Sequence, residues 1–542
     1  MKKTKVTLLS ILGVALLTTG LYSCNNDDVL EQENSTEKQY AAKGEGEVSD
    51  FESFFREQRE IALKNFSEAL VKSMAESTEL RNLIKTEALK KFNNDTEVLI
   101  SQLAESRLSE GTVASKLNQH LQGTTIEEIL NTVPTLTVLV PELPENSFSA
   151  EKWETNTQLP MVAIRTTLSN DNPVINWSET GQIETGVIPS DIIPGDPILV
   201  TKVNERVICS LESDFGKSET REFHTSKLTG ISYRYTDIIF DGISFPIKIK
   251  PLPSNIDSKL AEAYHLTKNN ANGTWQRDHI YYDINPSKQN GPYNYQYKEY
   301  LGFIAPKEYN GSAEGAYSAF ADQTDPRYNP LKEDGNWNDW TEGSYEMVFN
   351  FLLNAADGSN AGLQTIPKNM SIRPTDLFAL EYDHYTTGSW FWKKNHYKIR
   401  SVKAKKYYAD LEAFSWNLEN FGTTVKVVVF EKDPEQKVTM SFSHSSKTAT
   451  NFGLDIGVDG IFKIAKLGLK FGVSTEGNTN QTHQVETTLS SDDLGSSIID
   501  FGETVVKGNS GSGGIFSINH YILNSYSTGT IDFSLIPTRV QQ

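Results

Sequence analysis

The chain has 542 residues, too many for one hydrophobic core and enough for about three domains. Its 51 Lys and Arg residues face 70 Asp and Glu, a formal charge of −19, and a surface of that sign disfavours nucleic acid and anionic lipid as electrostatic partners. With 22 Tyr, 26 Phe and 8 Trp against 6 Met, the composition favours strands and extracellular-type binding surfaces over helical bundles.

At the start of the chain, Lys2, Lys3 and Lys5 precede an apolar run from Val6 to Leu17 and the tetrapeptide Leu21-Tyr22-Ser23-Cys24. This predicts a secretory signal over 1–23, too short and too poorly flanked for a spanning helix. The tetrapeptide resembles a bacterial lipobox, which implies cleavage before Cys24 and acylation of its thiol, palmitate included. Asn25, Asn26, Asp27 and Asp28 follow. They resemble the export tag that places Bacteroidetes lipoproteins on the outer face of the outer membrane, with a plain acidic linker as the alternative. Residues 24–48 are polar and acidic, with Tyr40 the one aromatic residue, and read as a disordered tether. The other cysteine, Cys209, sits in an apolar strand pattern and reads as a small buried hydrophobe; no disulfide framework is available.

A helical domain is expected over 49–132. Ser49 and Glu52 have capping-box spacing, and Phe51, Phe54, Phe55, Ala62, Phe66, Ala69 and Leu70 recur at helical intervals, predicting a helix from about 50 to 74. Ser77 and Asp95 are expected to open two more. Leu80, Leu83, Ile84 and Leu89 form the stripe of the first, and Val98, Leu99, Leu103 and Leu108 that of the second. Short helical pieces follow at Val113 to Leu121 and Ile126 to Leu130, the latter capped by Thr125 with Glu128.

At Pro134 the apolar period changes from 3.6 to two. Strands are predicted at Leu136 to Val140, Met161 to Thr166, Ile198 to Val203 and Val207 to Leu211, then at Ile238 to Ile249 and, as a strand pair, Trp275 to Ile284. Two β-rich domains, 133–290 and 291–542, with a Gly/Ser connector at 508 to 514, complete the chain. The fold class is therefore α+β, an N-terminal helical domain followed by mainly antiparallel β-sandwich domains.

Within the second β-rich domain, an amphipathic hairpin is expected at 452–475. Phe452, Leu454, Ile456 and Val458 alternate with small or polar residues, as do Leu467, Leu469, Phe471 and Val473. Pairing Val458 with Leu467 sets Ile456 against Leu469 and Asp455 against Lys470. This register leaves Ile461, Phe462 and Ile464 in an apolar tip that either packs on the protein or inserts into a membrane or partner.

The lipobox, Glu79-Leu80-Arg81 with Ile84 to Phe92, Lys202 to Arg206, and Trp416 to Gly422 followed by Val425 to Glu431 resemble a group of uncharacterised Bacteroidetes surface lipoproteins. The resemblance implies a helical N-terminal region before β domains and carries no activity or site residues.

Catalytic signatures are missing from the sequence: it has no Gly-x-Ser-x-Gly elbow and no His-Glu-x-x-His, and its nine histidines are scattered. His384 and His396 flank Trp390 and Trp392 in an aromatic stretch that could form a sugar or peptide platform, or else a core-covering strand pair. Asp334, Asn336, Asn338 and Glu342 place oxygen side chains at alternate positions, as a calcium loop does, with Glu346 thirteenth where an EF-hand has its acid twelfth; a solvated Asp/Asn turn is the alternative. Val425 to Glu435 resembles the strand and acidic loop of a C2-type sandwich, but a calcium site there needs a second acidic loop. Apart from calcium, no cofactor is expected.

The expected function is that of an outer-membrane or surface-tethered lipoprotein, a non-enzymatic binding module for glycan or protein ligands. Its membrane partner is reached through the lipid anchor at Cys24. The alternative is a membrane-acting, aerolysin-type β-hairpin protein, suggested by Ser/Thr-rich flanks on the hairpin.

Overall fold

The computed structural model describes residues 45–166, 169, 171–178, 180–204, 206–211, 224–228, 232–237, 256–268, 276–285, 288, 290–320, 339–341, 343–355, 364–386, 395–408, 411–431, 455–456, 462–463, 492–510 and 520–540. The expected signal segment, Cys24, the tether up to residue 44 and the strand at 238–249 lie outside them.

The first helix runs over Glu45–Glu76, so residues 45–48 of the expected tether are helical. Ser77 caps the next helix, Thr78–Ala88, through a bond from Leu80 N to its hydroxyl at 3.1 Å. Leu80 and Ile84 are buried as expected, but Leu89 falls at the C-cap and is exposed. The capping box of Thr125 and Glu128 opens Ile126–Thr132, where Ile126, Ile129 and Leu130 point inward.

Asp95 opens no helix. Glu97–Leu99 is a strand paired with Leu136–Leu139, and only Ile100–Leu103 makes a helical turn. Val98, Leu99 and Leu103 satisfy a short strand plus one turn as well as a helix, because a short apolar run does not distinguish the two periods. The pairing places Glu97–Leu99 at the edge of a six-stranded sheet that continues through Leu136–Leu139, Ile198–Val203, Met161–Ile164, Asn172–Trp177 and Ile183–Ile188. Only Met161–Ile164 against Ile198–Val203 is parallel. Leu63, Phe66, Leu70, Leu80, Ile84, Leu117 and Ile129 from the helices join Val138, Val162 and Leu199 from this sheet in one core. Ser67 and Thr201 add a hydroxyl contact of 2.6 Å between the long helix and the sheet. Helices and first sheet thus bury one another's apolar faces.

Cys209 is buried on Val207–Leu211, which pairs with Ser232–Asp237. From the latter strand, Tyr235 donates its hydroxyl to Pro134 O at 2.9 Å, and its oxygen lies 2.5 Å from the Ser101 hydroxyl, tying this small sheet to the first core.

A second core lies between two antiparallel four-stranded sheets. One has the order Leu411–Phe414, Tyr297–Pro306, Ile531–Arg539, Tyr526–Ser527; the other Gln364–Ile372, Tyr345–Ala355, Phe421–Glu431, Asp492–Asp500. Phe349 meets Phe533 with ring centroids 5.9 Å apart, and Phe351 meets Phe414 at 5.2 Å, so the aromatic residues of facing sheets interlock. Helices Ser258–Thr267, Gln276–Tyr282 and Glu314–Phe320 add Leu260, Ile280, Tyr281 and Tyr317 to the same core.

The helix Gln276–Tyr282 stands where a strand was expected. Gln276, Arg277, Ile280 and Tyr281 are all buried, one helical face at spacings of one and four. Gln276 accepts from Val505 N and Val506 N and donates to Val506 O at 2.8 to 3.0 Å, satisfying backbone groups that a strand here would have left open. The expected connector at 508 begins inside a strand, Val506–Asn509.

The hairpin takes another register. Asp455 pairs with Lys463 and Ile456 with Phe462, rather than with Lys470 and Leu469. The observed register still sets an acid opposite a lysine and an apolar residue opposite an apolar residue. Phe462 is therefore a strand residue, not part of a tip; Ile461, Ile464 and residues 464–475 lie outside the described residues.

Candidate functional site

His384 and His396 do sit on a paired hairpin, Phe378–Thr386 with Asn395–Ala404, whose connection carries Trp390 and Trp392 outside the described residues. The register pairs His384 with Tyr397 and Tyr385 with His396, so successive pairs point to opposite faces. His384 is exposed, 3.1 Å from Asn395 Oδ1, with its ring 5.0 Å from that of Tyr397. His396 is buried beside Tyr385 and opposite Pro194. The two histidines do not converge on one surface.

Of the expected calcium loop, Asp334, Asn336, Asn338 and Glu342 lie outside the described residues, as do Asp433 and Glu435. Glu346 is committed elsewhere: it pairs with Arg206 and accepts the Ser371 hydroxyl at 3.1 Å. Among the described residues, no three His, Cys, Asp or Glu side chains are grouped as metal ligands.

Glu346 belongs to a buried polar cluster, whose parts are distant in sequence. Arg206 reaches Asp95 Oδ2 at 3.4 Å, Glu346 and the carbonyl of Asn93. Ser344 donates to Asp95 Oδ1 at 2.6 Å. Lys202 meets Glu97 at 2.6 Å, and Asn93 and Asn204 donate to the other Glu97 oxygen at 2.5 and 2.7 Å. The cluster joins the edge of the first sheet to the strands Tyr345–Ala355 and Gln364–Ile372 of the second core. Burial, and then Glu97, push the Asp95 carboxyl above the usual carboxylate range, although Arg206 pulls against them.

Asp95 also lines a cleft of about 80 Å³ with Lys91, Glu142, Trp340, Arg373 and Tyr382. The space admits a few waters or one small side chain, far less than the roughly 300 Å³ at which small-molecule sites begin. Its charges are used by the fold: Lys91 lies 3.4 Å from Glu151, and Arg373 lies 3.3 Å from Glu142 and 3.0 Å from Asp376. The hydrogen bond that Arg373 donates to Asp376 holds the arginine pKa above its ordinary range despite burial. Gly343 shapes the floor. Its φ is +118°, and a Cβ there would lie 3.0 Å from Asp95 Cγ.

Lys202, Arg206 and Glu346 are visible in the sequence, but no local spacing brings them together. The available signal was charge inside or beside strands expected to be buried, since Lys202 within Ile198 to Val203 and Arg206 just before Val207 require partners there. Compared with protein-family models, curated proteins and solved structures, the chain matches none.

Proposed function

We propose that this chain is a lipoprotein tethered to the outer membrane through Cys24 and facing outward, where it binds a protein or glycan ligand without transforming it. The observation that carries the reading is the use of charge at the cleft. Lys91, Glu142 and Arg373 are tied into ion pairs of the fold instead of being held as a poised acid, base or nucleophile. A space of about 80 Å³, lined in part by Trp340 and Tyr382, suits one side chain of a larger ligand. Among the described residues no helix is long and apolar enough to cross a membrane, so the reading places the membrane contact at the acyl group.

The test has two arms. Cys24→Ala in the full chain is expected to move the protein from the membrane to the soluble fraction, and retention in the membrane overturns the anchor. The full chain, incubated with protein and glycan arrays, is expected to retain a ligand unchanged; turnover of that ligand overturns the non-enzymatic part.

A further inference from the structure

The helix Gln276–Tyr282 ends at a surface that the sequence did not single out. Gly291 passes so close to it that a Cβ would sit 1.9 Å from the carbonyl oxygen of Tyr282, an approach only glycine allows. Asn294 N then donates to Tyr281 O at 2.7 Å, which fixes the returning chain. Tyr293 is thereby laid against Tyr282, ring centroids 5.6 Å apart, and against Tyr295 at 4.6 Å and nearly perpendicular. Tyr295 is 80% exposed, and Leu418 beside Tyr282 is 42% exposed.

The hydroxyls of the two inner tyrosines are spent within the fold. Tyr293 donates to Trp416 O at 2.8 Å, and Tyr282 accepts from Leu418 N at 2.8 Å. Ring faces remain as the presented chemistry. Around them lie two carboxylates, Asp278 and Glu419. Neither has a hydrogen bond or ion pair to its carboxylate among the described residues, whereas the nearby Lys288 is committed to Asp283 at 2.7 Å. Burial raises the Asp278 carboxyl above its ordinary range. Asp278 lies one turn before Tyr282 on the helix, and Glu419 follows Leu418, whose amide bonds the Tyr282 hydroxyl, so both acids neighbour that ring; with burial first, they raise the Tyr282 phenol.

We propose that this patch of Tyr282, Tyr293, Tyr295, Asp278 and Glu419 docks an arginine side chain from a basic segment of a partner protein. A guanidinium stacks flat on an exposed tyrosine ring and offers a fork of N–H donors to a carboxylate, so it answers both halves of the patch at once. An apolar partner would bury Asp278 uncompensated. The proposal names the ligand class of the binding protein proposed above and rests on that reading.

The test titrates the full chain in detergent, at near-physiological salt, with a peptide of alternating glycine and arginine. The glutamate counterpart and maltohexaose serve as comparisons. Binding of the arginine peptide is expected, with about tenfold loss in Tyr295→Ala, comparable loss in Asp278→Asn, and retention in Tyr295→Phe. Tyr295 is largely exposed, so the unfolding temperature of its variants should match the parent. Equal affinity in Tyr295→Ala overturns the proposal, since attraction would then come from the net charge of −19 alone. Equal loss in Tyr295→Phe and Tyr295→Ala overturns it by assigning binding to the hydroxyl, and absence of arginine-peptide binding overturns it outright. Maltohexaose binding that is lost in Tyr295→Ala overturns it while leaving the binding function standing.

Discussion

Arg277 and Glu299 meet inside the second core as a two-point ion pair, Nε to Oε1 at 2.9 Å and Nη2 to Oε2 at 3.2 Å. Tyr281 donates its hydroxyl to Glu299 Oε1 at 3.1 Å, and the guanidinium lies 4.3 Å above the Phe501 ring. Burial alone would lower the Arg277 pKa, but Glu299 more than offsets it and holds the arginine above its ordinary range. Two charges so removed from water are costly, and their mutual contact compensates.

Breaking that pair from one side is expected to cost about 3–5 kcal/mol, because the remaining charge is left buried. Glu299→Gln should show this loss in urea unfolding. Arg277→Met combined with Glu299→Leu should recover much of it. A Glu299→Gln protein as stable as the parent would mean that water reaches the pair.

Asp95 predicts a pH dependence with a definite sign. Its carboxyl pKa is raised in the folded state, chiefly by burial, so the folded protein holds that proton more tightly than the unfolded chain. The associated stability is complete below the ordinary carboxylate range and is lost as pH rises through the raised folded value. Asp95→Asn cannot titrate there. Its unfolding temperature relative to the parent should therefore climb with pH across that window; parallel curves would contradict the assignment.

Gly343 and Gly311 form a matched pair of tests. Both have positive φ, +118° and +78°, but a Cβ at Gly343 meets the Asp95 carboxylate at 3.0 Å whereas Gly311 has nothing within 4 Å. Gly311→Ala should cost about 1 kcal/mol from conformation alone, and Gly343→Ala about 1–3 kcal/mol. Urea midpoints compare the two, and equal losses would remove the steric role of Asp95.

The capping box at Ile126–Thr132 is expected to behave as one unit. Thr125 Oγ1 accepts from Glu128 N at 3.3 Å, and Glu128 Oε2 accepts from Thr125 N at 3.2 Å. Thr125→Ala should cost about 1 kcal/mol. Because the two residues cap each other's backbone, the double variant with Glu128→Ala should cost less than the sum of the single losses, which thermal unfolding of the full cycle measures.

What could be read from sequence was what neighbouring residues impose on one another. Ser77 and Thr125 cap helices because a side-chain oxygen reaches an amide three residues on, and Ile198–Val203 and Val207–Leu211 are strands because short runs rich in β-branched residues favour them locally. The α+β class, with helices before antiparallel sheets, follows from the same periods.

Tertiary structure decided wherever two local answers were equally good or the partner lay far away. Val98 and Leu99 fit a helix or a strand, and Leu136–Leu139 settles the choice by pairing with them. Gln276 to Tyr282 become helical because one helical face seats Arg277 on Glu299 and Gln276 on Val506. Asp455 finds a lysine opposite it in either hairpin register, so side-chain type could not select between them. His384 and His396 part company because strand pairing, not distance along the chain, assigns faces. The contacts that assemble the site, Arg206 with Asp95 and Glu346 and Tyr293 with Trp416, join segments more than a hundred residues apart. Burial of a charge or a ring compels such a partner to exist, but only the folded chain chooses which one.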